Sequence, residues 1–163
     1  YMPWGPPDDQ GADLLDLVRR LIRMRHEHVV FRRSRFFHGR VIPGTDVKDV
    51  TWLTPSGQEM EPHQWSEGTL YTLVMLVRGE AGNRFLTEEG EPEPDDTFVL
   101  FLHAHHEPIE CTLPTVDNGC WHVEIDTAGL VPEGTCYDGG AAVTVAGRSA
   151  LVLRTPAENG DAG

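Results

Sequence analysis

At 163 residues the chain has room for one ordinary domain, or one domain with an appendage, which can bury a core without staples; a full barrel enzyme does not fit. The formal net charge of -13, from 26 acidic against 13 basic side chains, repels nucleic acid and anionic membrane and leaves neutral partners favoured. A hydrophobic share of 39% with 12 Pro and 17 Gly suits a globular domain rich in turns.

The opening run Tyr1-Met2-Pro3-Trp4-Gly5-Pro6-Pro7 reads as the interior of a longer protein, and residues 1–30 form an N-terminal segment built around one helix. Over 11–28 the apolar residues Leu14, Leu17, Val18, Leu21, Ile22 and Met24 recur at three- and four-residue steps with arginines opposite, which predicts an amphipathic helix. Asp13 suits its first turn, and Arg23, Arg25, His26 and His28 suit the end where cations complement the helix dipole. The cationic cluster from Arg19 to Arg40 is read as the polar face and exit of this helix rather than a nucleic-acid patch. In an isolated chain the apolar stripe must bury against the β domain or in a homodimer through the helix.

After Phe31 the helical period gives way to short extended runs. Strands are predicted at 36–42, 50–54, 69–77, 97–104, 109–113, 121–126, 142–145 and 149–154, separated by Pro43-Gly44, Pro55-Ser56-Gly57, Pro114, Asn118-Gly119 and Asp138-Gly139-Gly140. Residues 31–155 are therefore expected to be a mainly β domain, an antiparallel β-sandwich or barrel of roughly eight strands. The acidic stretch 79–96 is too polar to bury and reads as a solvated loop, and 156–163 reads as a disordered tail.

Glycoside hydrolysis needs two carboxylates about 5 to 5.5 Å apart in retaining enzymes, held on a rigid scaffold. The densest carboxylates here, from Glu88 to Asp96, lie in the solvated stretch, where nothing separates an acid from a nucleophile, so no catalytic residue is expected. His103 and His105 would share one face of a strand and reach one ion, with Glu110 or Cys111 as a third ligand; a hydrogen-bonded structural role is the stronger reading, so no metal or cofactor is expected. Ser149 and the cysteines stand in no nucleophile elbow or triad pattern, and no glycine-rich phosphate loop is present.

Three cysteines, Cys111, Cys120 and Cys136, are odd in number and lack C-x-x-C spacing, which indicates neither a disulfide framework nor a zinc knuckle; reduced thiols in a cytoplasm are expected. No run approaches the roughly 18 apolar residues of a membrane helix. Exposed aromatic side chains can stack on a sugar face. Trp52 and Trp121 lie in alternating strands and read as core, which leaves Trp65, beside His63 and Gln64, and Tyr71 as the candidate carbohydrate-binding residues.

Five motifs occur in order: residues 17–25 with Val30-Phe31-Arg32-Arg33; Arg35-Phe36-Phe37-His38-Gly39; Val47-Lys48-Asp49-Val50-Thr51-Trp52-Leu53 with Gly57, Glu59-Met60 and Trp65; residues 104–110 with Thr112-Leu113-Pro114; and residues 148–153. Together they resemble the last barrel helix and C-terminal β-sandwich of bacterial glycogen debranching enzymes, in the isoamylase-like branch of the α-amylase superfamily. The resemblance implies a parent enzyme that hydrolyses α-1,6-glucosidic branch points with an Asp nucleophile, a Glu acid/base and a supporting Asp on barrel loops. No position here matches those three. The implied role is a non-catalytic C-terminal domain whose partner is the missing catalytic barrel and whose parent's substrate is an α-glucan; the alternative is an autonomous α-glucan-binding module. Residues 1–7, His103 in place of an expected Asn, and the 79–96 stretch depart from the family pattern.

Overall fold

The structure is a computed structural model that describes residues 9–32, 37–41, 48–79, 95–116 and 119–157. A helix α1, Asp9–Glu27, is followed by a 3-10 turn at Val29–Phe31 and by eight strands among the described residues. These are β1 (Val50–Leu53), β2 (Thr72–Val77), β3 (Thr97–His103), β4 (Ile109–Thr112), β5 (Trp121–Asp126), β6 (Cys136–Tyr137), β7 (Ala142–Val145) and β8 (Ser149–Thr155). A six-stranded antiparallel sheet runs in the order β1-β2-β3-β8-β5-β6, and β4 pairs with β7 in a second sheet. The expected sandwich preceded by a helix is what forms. No described helix is long and apolar enough to cross a membrane.

The large sheet is apolar on both faces because each face has a cover. Leu53, Val74, Leu76, Val99, Phe101, Trp121, Val123, Leu151 and Leu153 point one way and pack with Cys111, Val143 and Val145 of the small sheet and with Leu113 just after β4. The opposite face carries Val50, Val77, Phe98, Ile125 and Val152, covered by Val30, Leu17, Met24 and Phe31. On β5 the register shifts between Val123 and Ile125, so that Val123 pairs with Leu153 and Ile125 with Val152. This bulge moves Ile125 from the inter-sheet core to the helix-covered face, since one extra residue reverses the alternation.

Helix α1 therefore does fold back on the sandwich, through Leu17 and Met24, and Arg20 ties it further by donating to the Glu124 carbonyl at 2.6 Å and to Glu133 at 2.7 Å. The helix begins at Asp9, before residue 11, so Asp13 lies beyond its first turn. Its exit is pinned by Asp95. This buried carboxylate accepts from the Val30 N–H at 2.7 Å, from His28 Nδ1 at 2.7 Å and from the Asp96 N–H at 2.8 Å. Asp96 accepts in turn from Arg154 at 2.5 Å and from the Ala157 N–H at 2.8 Å. Residues 80–94 of the acidic stretch lie outside the described residues, but its end is not solvated as expected: Asp95 is buried because a ring of donors replaces its water.

Two further expectations are corrected. No strand forms over 37–40; Phe36 and Ile42, the ends of the predicted 36–42 strand, lie outside the described residues, and Val41 makes only an isolated bridge to Lys48. Asp49 organises this segment instead, accepting from His38 N–H at 3.0 Å, Gly39 N–H at 2.9 Å and Val50 N–H at 2.9 Å, and a carboxylate that collects backbone donors competes with a ladder. The eighth strand is β6. Its pairing of Tyr137 with Trp121 and Cys136 with His122 brings Cys136 against Cys120, and the two are joined in a disulfide with Cα atoms 5.9 Å apart. Only Cys111 is a free thiol. The expectation of three reduced thiols fails because the contact crosses 16 residues of sequence and no local spacing signals it.

Candidate functional site

A concave surface among the described residues lies where the ends of β2, β3 and β4 meet the segment around the 3-10 turn Gln64–Ser66. It encloses about 430 Å³ between Tyr71, His105, Gln64, Glu67 and Glu107. A second hollow of about 570 Å³, lined among others by Leu102 and Ser149, shares Leu70, Tyr71 and His103 with it, so the two adjoin at Tyr71. Tyr71 is half exposed and immediately precedes β2; its carbonyl accepts from the Ala104 N–H at 2.8 Å, which fixes it to the end of β3. The His105 ring lies 5.3 Å from the Tyr71 ring.

The turn that carries His105 is held from both sides. Arg148 N–H donates to the His105 carbonyl at 2.8 Å, and the Glu107 N–H donates to His105 Nδ1 at 3.2 Å. An Nδ1 that accepts leaves Nε2 as the donor of the neutral ring. His103, by contrast, is spent on structure. Buried at the end of β3, it meets the Thr72 hydroxyl through Nδ1 at 2.8 Å and the Glu107 carbonyl through Nε2 at 2.7 Å. The expected pairing of His103 with His105 on one strand face does not arise, because β3 ends at His103. Among the described residues ligand-type atoms gather, within 4.8 Å of one another, in two other places: His105, His106 and Glu107 on the surface turn, and His28, Asp95 and Asp96 at the helix exit.

Of the two carbohydrate-binding candidates, only Tyr71 lines the concave surface. Trp65 is also half exposed, but its ring packs edge-on against Trp52 at 5.5 Å and it is not among the lining residues. Trp121 is buried and donates from Nε1 to the Pro114 carbonyl at 2.8 Å, and Trp52 packs against the helix-side cluster, as their alternating strands implied. The participation of Gln64, Glu67, His105 and Glu107 escaped the sequence reading. The only signal was the clustering of polar residues around two predicted strand ends.

A different surface is apolar. Leu17 and Met24 consume one side of α1, and Leu14 (61% exposed), Leu15, Val18, Leu21 and Ile22 (53% exposed) form a continuous stripe on another. At 100° per residue the stripe is too wide to be satisfied by the docked side. Burial also acts on Cys111 in the inter-sheet core, pushing its thiol up from 9.0 to about 11.

Fold and surfaces together define a β-sandwich domain with one docked helix, whose outer helix face is left bare. No protein-family model matches the chain. The proteins named glycogen operon protein GlgX homolog from Mycobacterium bovis and from two strains of Mycobacterium tuberculosis are each 37% identical to it over 160 residues, covering 94% of this chain and 22% of theirs. Along nearly its whole length the chain is similar to these GlgX homologs, which bears out the resemblance carried by the five ordered motifs, and it spans about a fifth of the length of those relatives.

Proposed function

We propose that this chain is the non-catalytic C-terminal β domain of a glycogen debranching glycoside hydrolase, and that the catalytic barrel of that enzyme covers the outer face of α1. The bare stripe of Leu14, Leu15, Val18, Leu21 and Ile22 carries the proposal. Five large apolar side chains on one helix face are a liability in water and an asset against a neighbouring helix or sheet. The likeness to much longer proteins supplies a neighbour of sufficient size. The domain's task is to shield apolar surface of the catalytic unit and to hold its last helix in place; the homodimer expected of an isolated chain is the same stripe satisfied by a second copy.

The location we propose is the cytoplasm, in keeping with the likeness to glycogen operon proteins; the Cys120–Cys136 disulfide of the structure is then the oxidised form of a pair that the thiol pool there can reduce. The test of the function is complementation. A GlgX homolog truncated before the corresponding segment is mixed with this chain and assayed on a branched dextrin. The expected result is association and recovered release of linear chains, both lost with Leu21→Glu. Release of linear chains by this chain alone, or complementation indifferent to Leu21→Glu, overturns the proposal.

A further inference from the structure

Resting on the reading of the chain as a domain of a glycogen-acting enzyme, we infer that the trough around Tyr71 and His105 is a non-catalytic subsite for a linear α-1,4-glucan segment. Four observations converge on that ligand class. Two adjoining hollows, of about 430 and 570 Å³, share the exposed Tyr71 in their lining, which gives a ligand of several sugar units more surface than one compact molecule needs. Tyr71 presents an apolar face with a polar tip, the combination that stacks under a pyranose and bonds its hydroxyls.

The polar groups around it offer both donors and acceptors. His105 supplies Nε2–H, because its Nδ1 already accepts from Glu107 N–H. Gln64 supplies its amide N–H2, because its Oε1 accepts from the Glu61 N–H at 2.8 Å. Glu67 and Glu107 supply carboxylate oxygens. Sugar hydroxyls donate and accept at once, so a mixed set of this kind fits them. An anionic ligand is disfavoured by those two carboxylates and by the chain's net charge of -13.

The site is also rigid. Tyr71 is fixed by its carbonyl to Ala104, the 104–107 turn is fixed to Arg148 and to His103, and a Cβ on Gly147 would lie 2.1 Å from the His106 carbonyl oxygen, so this turn and the β7–β8 turn are in close backbone contact. A platform held this way loses little freedom when a glucan lies on it. Trp65 is left out of the subsite, since its ring is packed on Trp52 and does not line the trough.

The experiment is calorimetric titration of the full chain with maltoheptaose, with cellohexaose as the β-linked control. Saturable binding of maltoheptaose in the millimolar range is expected, with little or none of cellohexaose. Tyr71→Ala is expected to weaken it about fivefold or more, the scale of one aromatic contact, and His105→Ala about threefold, the scale of one hydrogen bond. Tyr71→Phe keeps the stacking face and is expected to lose less than Tyr71→Ala. Melting curves of each variant confirm folding. No saturable binding, equal binding of cellohexaose, or binding lost with Trp65→Ala and untouched by Tyr71→Ala and His105→Ala each overturn the inference. A chain that complements the truncated homolog through Leu21 yet ignores maltoheptaose removes the subsite alone, whereas failure of both removes the parent reading too.

Discussion

Replacing Asp95 tests whether the helix is a true part of the fold. Its carboxylate takes three bonds, from Val30 N–H, His28 Nδ1 and Asp96 N–H, at 2.7 to 2.8 Å, and it is only 8% exposed. Asp95→Ala strands the buried Val30 N–H and removes two further partners. An unsatisfied buried donor costs about 1–3 kcal/mol, and the part-buried bonds from the Asp96 N–H and from His28 add about 1.5 kcal/mol each because the acceptor is charged. Since the three share one acceptor and are not additive, the expected loss is about 3 kcal/mol. For a domain of this size that lowers Tm by roughly 10 °C. Asp95→Asn keeps one acceptor oxygen and is expected to lose about half as much. Urea unfolding followed by circular dichroism measures both, and hydrogen exchange over 17–31 shows whether the helix leaves first. A loss under 1 kcal/mol for Asp95→Ala, or a helix no more open than before, refutes the view that this carboxylate clamps the helix exit.

Three other outcomes are expected. Titration with a chromogenic disulfide should find no reactive thiol in the native oxidised chain at pH 8, one in denaturant, which is Cys111, and three after reduction; three in denaturant without reductant removes the Cys120–Cys136 bond. Because the folded state holds the Cys111 proton more tightly than the unfolded state, its contribution is whole below about pH 9 and is lost as pH rises toward 11, worth roughly 3 kcal/mol across that window; Cys111→Ala should remove that alkaline step from the stability profile. Gly79→Ala places a Cβ 1.8 Å from the Asp95 carbonyl oxygen, a backbone clash with no side chain to move aside, and should cost about 3 kcal/mol by thermal melting, whereas Gly68→Ala, where the Cβ meets open space, should cost less than about 0.5 kcal/mol.

How much was legible beforehand differs between elements. The helix, and the strands at 72–77, 97–103, 109–112, 121–126, 142–145 and 149–155, were readable because periodicity and turn residues are carried by neighbours within a few positions. The two-residue β6 was not, since two residues show no period and the strand exists only as an edge on β5. The same distinction separates the candidate sites: Tyr71 was recognisable as an aromatic within the predicted 69–77 strand, but its histidine neighbour was not, because β2 and β3 place Tyr71 and His105 together by pairing Thr72 with His103.

The chain alone determined a mainly β domain with one amphipathic helix, the alternating core of Val74, Leu76, Val99, Phe101, Val123, Leu151 and Leu153, and the likeness to the GlgX homologs. Only the tertiary structure decided which side of α1 is docked and which is bare, that Asp95 is buried rather than solvated, that Cys120 meets Cys136, and that Tyr71 rather than Trp65 lines the trough. The physical reason is range. Helical and strand periods are set by residues that touch through the local backbone, whereas these contacts depend on strand order and register, and a register shift of one residue, as at the β5 bulge, reverses which side chains meet.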